Sequence, residues 1–471
     1  MAEKFVHTSV KFTTSNETWQ KIHDAAAAVE ESNIIPAEDT HVLIEGGGYN
    51  GIWLETQPMG GEMYATHNME TAVANQKFFI DHIREDGRIP SVIRFHNGQI
   101  EQKMFSHFQG YCFPYHALNL WYLNGRDREY LAQLYSVLER FDNYLWKTRD
   151  SDGDGCLETW CKWDTGEDDC SRFFGGPNAW GSDEAPYGQK KLPYESMDVM
   201  SYSVDGRQTL SEIAAILFPG TDLAKQWELK AQAVRDKIRA YLWVDERSAC
   251  FDRDCDNEIM PALIHNNLRC MYHGSFDTYM AKRFVNKHLL NPEEFWTPMP
   301  LPSIAANDPL FLSEPNNNWS GQPEGLTYQR AIRALENYGM YEIIPKLGKK
   351  LCEAIALSGD KIRFTQQFDP FTMEPSPYGD GSYGPTALAF MEYTTRMYGL
   401  KMIRDSIIWT GIADDTEEAE FIFEHGDYTY RFHMHGGIFE GWINGKKKFD
   451  SPRGTRVVTN PIGDITDISM I

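Results

Sequence analysis

The sequence predicts a mainly α-helical protein, a toroid of helical hairpins carrying a small β-rich appendage at its C-terminal end. Three observations carry that expectation. Apolar residues recur at helical spacing from about residue 62 to 400, with no strand–helix–strand alternation. Long loops, conspicuously aromatic and rich in Gly, Asp and Asn, separate the helical stretches. After Lys401 the chain turns to alternating segments, SIIWTG, AEFIFEHG, YTYRFHMHG, FEGWING and TRVVTN, divided by Gly, Asp and Asn. Residues 1–402 are therefore expected to form the helical domain. Residues 403–471 form the β-rich appendage, packed on it because no Pro/Gly/Ser linker intervenes.

Taken in order, residues 1–13 read as a short extended lead-in. Thr14–Glu17 has capping-box spacing and opens a helix that runs through Trp19 to Val29. The stretch 41–61 is strand-like, then glycine-rich, and its GGGYNG satisfies G-x-G-x-x-G at Gly46, Gly48 and Gly51. Trp, Leu, Pro and more Gly follow instead of the helix a dinucleotide site needs. The stretch reads as a tight loop presenting Trp53 and Glu55. Further helices are expected over 67–84, 113–123, 127–147, 195–216, 221–241, 275–289, 324–338, 341–358 and 384–400. With the first helix and one or two short ones, that makes about a dozen.

The 471 residues can bury an ample core. A net charge of −23 repels nucleic acid and anionic membrane, and no apolar run is long enough to span a bilayer. The N-terminus MAEKFVHTSVKF lacks the apolar stretch of a secretory signal. The eight cysteines show no paired framework, so free thiols in a cytoplasmic protein are expected rather than zinc. The 13 Trp, 23 Tyr and 26 Phe fill a large core in the bland reading; their place beside Gly, Asp and Asn in loops favours a ring-lined polar cleft.

The chemistry concentrates between Thr148 and Trp180. Its DSDGDG resembles the start of a calcium loop, yet Cys161 stands where a helix-loop-helix site needs Glu. A turn in which Asp150, Asp152 and Asp154 cap their own backbone is favoured over structural calcium, and no cofactor is expected. Beyond it Trp160 and Trp163 adjoin Asp164, Glu167, Asp168, Asp169 and Arg172. Carboxylates crowded beside rings are costly to bury, so they must be solvated, metal-bound or functional. Rings that stack on pyranose C–H faces, beside acids that protonate a glycosidic oxygen, are what sugar cleavage uses. The bland alternative is a solvated acidic loop.

WDTGEDDCSRF (163–173) resembles the acid-bearing loop of glycoside hydrolase family 63, close to W-E-S-G-M-D-N-S-P-R-W, and of the related family 37 trehalases. Trp163, Gly166, Asp168 and Arg172 fall on the family's Trp, Gly, Asp and Arg, with Cys170 and Ser171 replacing Ser-Pro. IWLETQ (52–57), TPMPLPSIAANDPLF (297–311) and NNNWSGQPEG (316–325) resemble further family segments in the family's order. The last keeps Trp319 and Gly321 but substitutes Gln322 and Glu324.

The resemblance implies an (α/α)6 barrel, with exo-acting, inverting hydrolysis of small α-glucosides, α-mannosides or related glycosides, including glycerate conjugates. It places Asp168 at the general acid. Trp53, Glu55, Trp163, Asp164, Arg172, Trp319, Gln322, Glu324 and Tyr383 become the lining of the sugar subsite.

The family's general base sits in a Glu-x-Tyr-x-Pro motif, and here the aligned residues are Gln366-Gln367-Phe368-Asp369-Pro370. An amide takes no proton from water near neutral pH, so ordinary hydrolysis should fail with Gln366. Three readings stay open. Gln366 is a replacement for Glu, the isostere that traps a substrate. Another carboxylate, Glu324, Asp369 or Asp380, serves as base. Or phosphate attacks, which needs cations near Gln366 where the loop offers only Lys361 and Arg363. A rival from another class is a sugar-binding protein without turnover.

Overall fold

The computed structural model describes residues 5–413 and 417–471. Among them lie twelve α-helices: α1 Glu17–Ser32, α2 Gln57–Tyr64, α3 Met69–Asp81, α4 Pro114–Leu123, α5 Arg128–Thr148, α6 Met197–Leu217, α7 Leu223–Lys237, α8 Asn266–Tyr272, α9 Thr278–Phe284, α10 Gly325–Glu336, α11 Ile344–Ala356 and α12 Gly384–Met397. The even-numbered helices are buried nearly all round, α2, α8 and α12 along their whole length. Most odd-numbered ones, such as α1, α5 and α7, bury a single face. That difference separates interior helices from covering ones. Each even helix touches the next, and α12 returns to α2, so the six close a ring.

Loop lengths give the ring a direction. Short turns follow α2, α4, α6, α8 and α10, whereas a long loop precedes every inner helix. The long loops and the N-termini of all six inner helices therefore gather at one end. Every helix longer than eight residues coincides with an expected one. The short α2 and α8 were not individually foreseen. In α2, Gly60 and Gly61 read as loop, but they let the helix press closely on its neighbours. A Cβ at Gly60 would meet Leu388 of α12 at 2.9 Å, and one at Gly61 would meet Asn75 of α3 at 2.9 Å. Close packing has overridden helix propensity there.

The strands of the C-terminal part begin at Tyr398, directly after α12, rather than at 403. A four-stranded antiparallel sheet uses Tyr398–Ile403, Ser406–Gly411, Thr455–Thr459 and Ile465–Met470. A five-stranded one uses Ala419–His425, Tyr428–His435, Ile438–Ile443 and Lys446–Pro452, with Thr8–Thr14 added at its edge. Thr8 pairs with His425 and Thr14 with Ala419. The expected extended lead-in is thus a strand of the β region, which draws on both ends of the chain. It covers the Ala419–His425 edge, whose open N–H and C=O groups would otherwise be a liability.

The β region seals the end of the ring opposite the long loops. Lys401, buried, donates to Glu392 of α12 at 2.8 Å and lies 3.4 Å from Glu62 of α2. Glu392 also receives Arg396, and Glu62 also faces His116 of α4. All eight cysteines are free thiols, seven of them buried. No helix among the described residues is long and apolar enough to cross a membrane. Replacing Lys401 with Met leaves two buried carboxylates short of a cation, so the urea midpoint should fall by the equivalent of about 3–5 kcal/mol. A loss under about 1 kcal/mol would mean that the pair is screened as a surface pair is.

Candidate active site

The α5–α6 loop is fixed before it presents anything. Asp164, fully buried, accepts from Arg149 and from the backbone N–H groups of Trp160 (2.8 Å) and Phe108 (3.1 Å). The Arg149 guanidinium lies between the rings of Phe108 and Trp160, at 4.3 and 4.2 Å. Arg172 donates to Glu167 and Asp252, both at 2.6 Å. Gly166 adopts φ +73°, and a Cβ there would stand 2.5 Å from the Glu55 carboxylate. Glycine is required at this close approach.

Two residues expected to contact sugar are among these pairs. Asp164 and Arg172 have their charges satisfied inside the protein and brace the loop. A buried charge without a partner is expensive, so acids and bases close together in one loop pair with each other first.

Asp168 is half-buried on the same loop, and its Oδ2 accepts from Asn317 Nδ2 at 2.7 Å. Burial, then the nearby Glu55 charge, push its carboxyl up to about 7, with Asn317 and Trp163 pulling the other way. Asn317 Oδ1 in turn accepts from Gln366 Nε2 at 3.2 Å, and Gln366 Oε1 accepts from the Tyr49 hydroxyl at 3.1 Å. One amide group thus spans the gap between Asp168 and Gln366. The two side chains thus lie no more than about 8 Å apart, which does not exceed the roughly 6.5–9.5 Å separation of an inverting acid–base pair.

Three more carboxylates converge here, two of them at or just before inner-helix N-termini. Glu324, the N-cap residue of α10, is buried; Oε1 accepts from Gln367 at 2.8 Å and Oε2 has no partner. Burial raises it well above the usual carboxylate range, and the charges of Asp168 and Glu55 add to the effect. Glu55 is also raised by burial, offset by its ion pair with Arg330 at 2.8 Å and by Gln109. Glu45, hydrogen-bonded to Tyr383, is raised by burial and by Glu55. The positive ends of the helix dipoles make this the least costly place for such charge.

Of the other expected lining residues, Trp53 packs edge-on to Tyr49 at 5.5 Å, and Tyr383 packs on the other side at 6.3 Å. Trp319 Nε1 and both amide atoms of Gln322 are buried without a partner. Orphan polar atoms are rare in a folded interior, and a pocket meant for hydroxyl groups leaves them. Asp369 and Asp380 are spent on turns. Asp369 accepts from the N–H groups of Phe371 and Thr372, and Asp380 from Ser382.

Sequence reasoning missed Tyr49, Asn317 and Glu45. Tyr49 stands in the glycine-rich loop and Asn317 in the run Asn316–Asn318, so an unusual local composition was their only signal. The hollow between acid and facing residue is also narrower than expected. Asn317 occupies it, and beside it lies a cavity of 110 Å³ lined by Gly47, Tyr49, Asn317, Gln366, Tyr378 and Tyr383 among others. That space holds a few waters at about 30 Å³ each, so a sugar needs Asn317 to turn aside.

Residues 53–385 match the family described as mannosylglycerate hydrolase MGH1-like glycoside hydrolase domain. Among solved structures, the chain is similar to the family 63 mannosylglycerate hydrolase of Thermus thermophilus in complex with glucose. That likeness has TM-score 0.64 and 16% identity, covering 80% of this chain and 100% of that one. Neutral trehalase from Saccharomyces cerevisiae matches with TM-score 0.58 and 13% identity over 79% of each chain. An α-L-rhamnosidase from Dictyoglumus thermophilum matches with TM-score 0.61 and 12% identity, covering 93% of this chain and 44% of that one. No curated protein matches the sequence. At these identities the structural likenesses speak to the fold alone.

The DSDGDG turn forms as expected, with Asp152, Asp150 and Asp154 accepting from the N–H groups of residues 154, 155 and 156. The structure adds two acids to it. Glu158 and Glu195 are directly opposite each other on paired strands, and each brings a carboxylate oxygen within 4.8 Å of Asp152. Like charges opposite on a sheet repel. Glu195 is 7% exposed, its Oε2 has no partner, and burial with the Asp154 charge lifts it to about 8. Lys237, bonded to Asp154, is the cation nearby. This all-oxygen donor set is one that could hold Ca²⁺. Millimolar CaCl₂ should raise the melting midpoint by several degrees, and Glu195→Gln should abolish the gain. No shift in the unaltered protein would mean that hydrogen bonds alone carry the turn.

Proposed function

Since the chain belongs to the mannosylglycerate hydrolase MGH1-like glycoside hydrolase family, we propose that it is an exo-acting, inverting α-glycosidase on an (α/α)6 barrel. The closed ring of six buried helices, covered by six others, supports that architecture. Its substrates are small α-glucosides, α-mannosides or related glycosides. Asp168 is the general acid. A carboxyl raised to about 7 still holds its proton near neutrality and can give it to a departing oxygen. The observation that carries the reading is the single amide width between Asp168 and Gln366.

Gln366 fills the position of the base, so the chain with Gln there binds its sugar and turns it over poorly. Glu324 is a weak substitute. Its carboxyl is held well above the ordinary range, which makes it a proton carrier rather than an acceptor at neutral pH. Phosphate attack finds little support, because among the described residues no Lys or Arg lines the cavity beside Gln366. Arg363 is turned to the carbonyls of Pro377 and Gly379. Trp53, Trp163 and Trp319 supply ring faces, while Glu55, Gln322 and Glu324 hold hydroxyls.

Gln366→Glu should raise hydrolysis of a responsive α-glycoside by about 10²–10⁴-fold, with NMR detecting the inverted anomer first. Sugar binding with no turnover in either form would leave a binding protein. Activity that survives with Gln366 and is lost in Glu324→Gln would move the base to Glu324. In the Gln366→Glu protein, kcat/KM should fall about tenfold per pH unit above a break at or somewhat above 7. The sign follows from Asp168 acting as an acid, since the active form is the protonated one and rising pH removes it. A rate that instead climbs through that range would assign Asp168 the opposite role.

A further inference from the structure

The five-stranded sheet presents an outward face at the hairpin of Tyr428–His435 and Ile438–Ile443. Burial alternates along both strands: Tyr430, Phe432, Met434, Phe439 and Ile443 point inward, while His433, His435, Glu440 and Trp442 point out. His433 and His435 are two apart on one strand and so share a face. Glu440 is the direct cross-strand partner of His433. Nδ1 of His433 and Nε2 of His435 each lie 3.9 Å from the same oxygen, Glu440 Oε2. These separations exceed hydrogen bonds, so the three groups are gathered without satisfying one another. The two imidazole rings are 4.6 Å apart and tilted by 35°.

We propose that His433, His435 and Glu440 form a surface site for one first-row divalent transition ion such as Zn²⁺, with water completing its shell. Two imidazoles and one carboxylate are a borderline donor set, suited to Zn²⁺, Cu²⁺ or Ni²⁺ and unlike the all-oxygen cage Ca²⁺ takes. Their donor atoms already lie within 4.8 Å of one another. Coordination at about 2.0–2.1 Å needs donors roughly 3.3 Å apart, a closure that small rotations of partly exposed side chains provide. Glu440 is oriented from behind, since Trp442 Nε1 donates to Oε2 at 3.1 Å and Lys447 Nζ to Oε1 at 2.8 Å. Such outer partners fix a ligating carboxylate. The Lys447 charge is shared with Asp450 at 2.9 Å, and Arg431 on the same face is paired with Glu420. The cations around the site are thus balanced.

The test is calorimetric titration of the chelator-treated full chain with ZnCl₂, alongside Co²⁺ absorption in the visible range. One saturable equivalent of Zn²⁺ is expected, together with Co²⁺ bands of a low-coordinate site. H433A/H435A should lose both signals, and E440Q should weaken Zn²⁺ at least tenfold. E195Q, at the acidic turn, should leave the equivalent intact, which separates this site from that one. Melting curves check that each variant is folded, and the isosteric E440Q carries the test if the double variant is not. Absence of saturable Zn²⁺ binding, or binding unchanged in H433A/H435A or in E440Q, overturns the proposal.

Discussion

Burial of a group of carboxylates, with their mutual repulsion second, governs the end of the molecule where the long loops meet. The charges of Glu55 and Asp168 raise Glu45 and Glu324, Glu55 also raises Asp168, and Glu45, Glu55 and Glu324 are buried. In water such a group would ionise and disperse. Here the ring of inner helices holds it together, because each long loop ends at a helix N-terminus that favours negative charge. Arg330 supplies counter-charge to Glu55, and Arg269 does so more weakly to Glu55 and Glu324. Asp168 meets neutral donors, Asn317 and Trp163, and burial raises its carboxyl to about 7.

The same logic explains the acidic loop as a whole. Its acids divide by what they can reach. Glu158 is held by Ser151 and Trp160, Asp164 by Arg149, Glu167 by Arg172, and Asp169 by Lys162. Glu195, met across the strand pair, and Asp168 are raised to about 8 and about 7, and Glu158, held only by neutral donors, is raised by burial as well. A loop without secondary structure needs such internal pairs to hold one shape, and buried pairs are conformationally specific even where they add little net stability. Ser171 ties the loop to the neighbouring one through Leu310 and Ser320, so the wall bearing Asp168 and the wall bearing Asn317 are joined.

Helical periodicity was legible because the covering helices are long and one-sided. The inner short helices α2 and α8 were not, since glycine and asparagine there serve contacts that no local pattern encodes. The strand Thr8–Thr14 escaped for a similar reason: its partner lies about 400 residues away. Within the site, Asp168 and Gln366 were singled out by motif order, and the structure joins them through Asn317. The functions of Asp164 and Arg172 were not legible, because spacing does not reveal which charges already have partners. Asn317 shows the limit most clearly. Nothing in a run of three asparagines says that the middle one stands between the two residues on which the chemistry turns.

Asn317 also defines the decisive measurement. The side chain now linking Asp168 to Gln366 stands where a sugar should lie, so a crystal structure with a bound α-glycoside tests the arrangement directly. The account predicts a pyranose in that gap, its glycosidic oxygen within hydrogen-bond reach of Asp168, residue 366 on the opposite face, and Asn317 swung aside. A sugar bound elsewhere, with the Asp168–Asn317–Gln366 bridge unbroken, would contradict it.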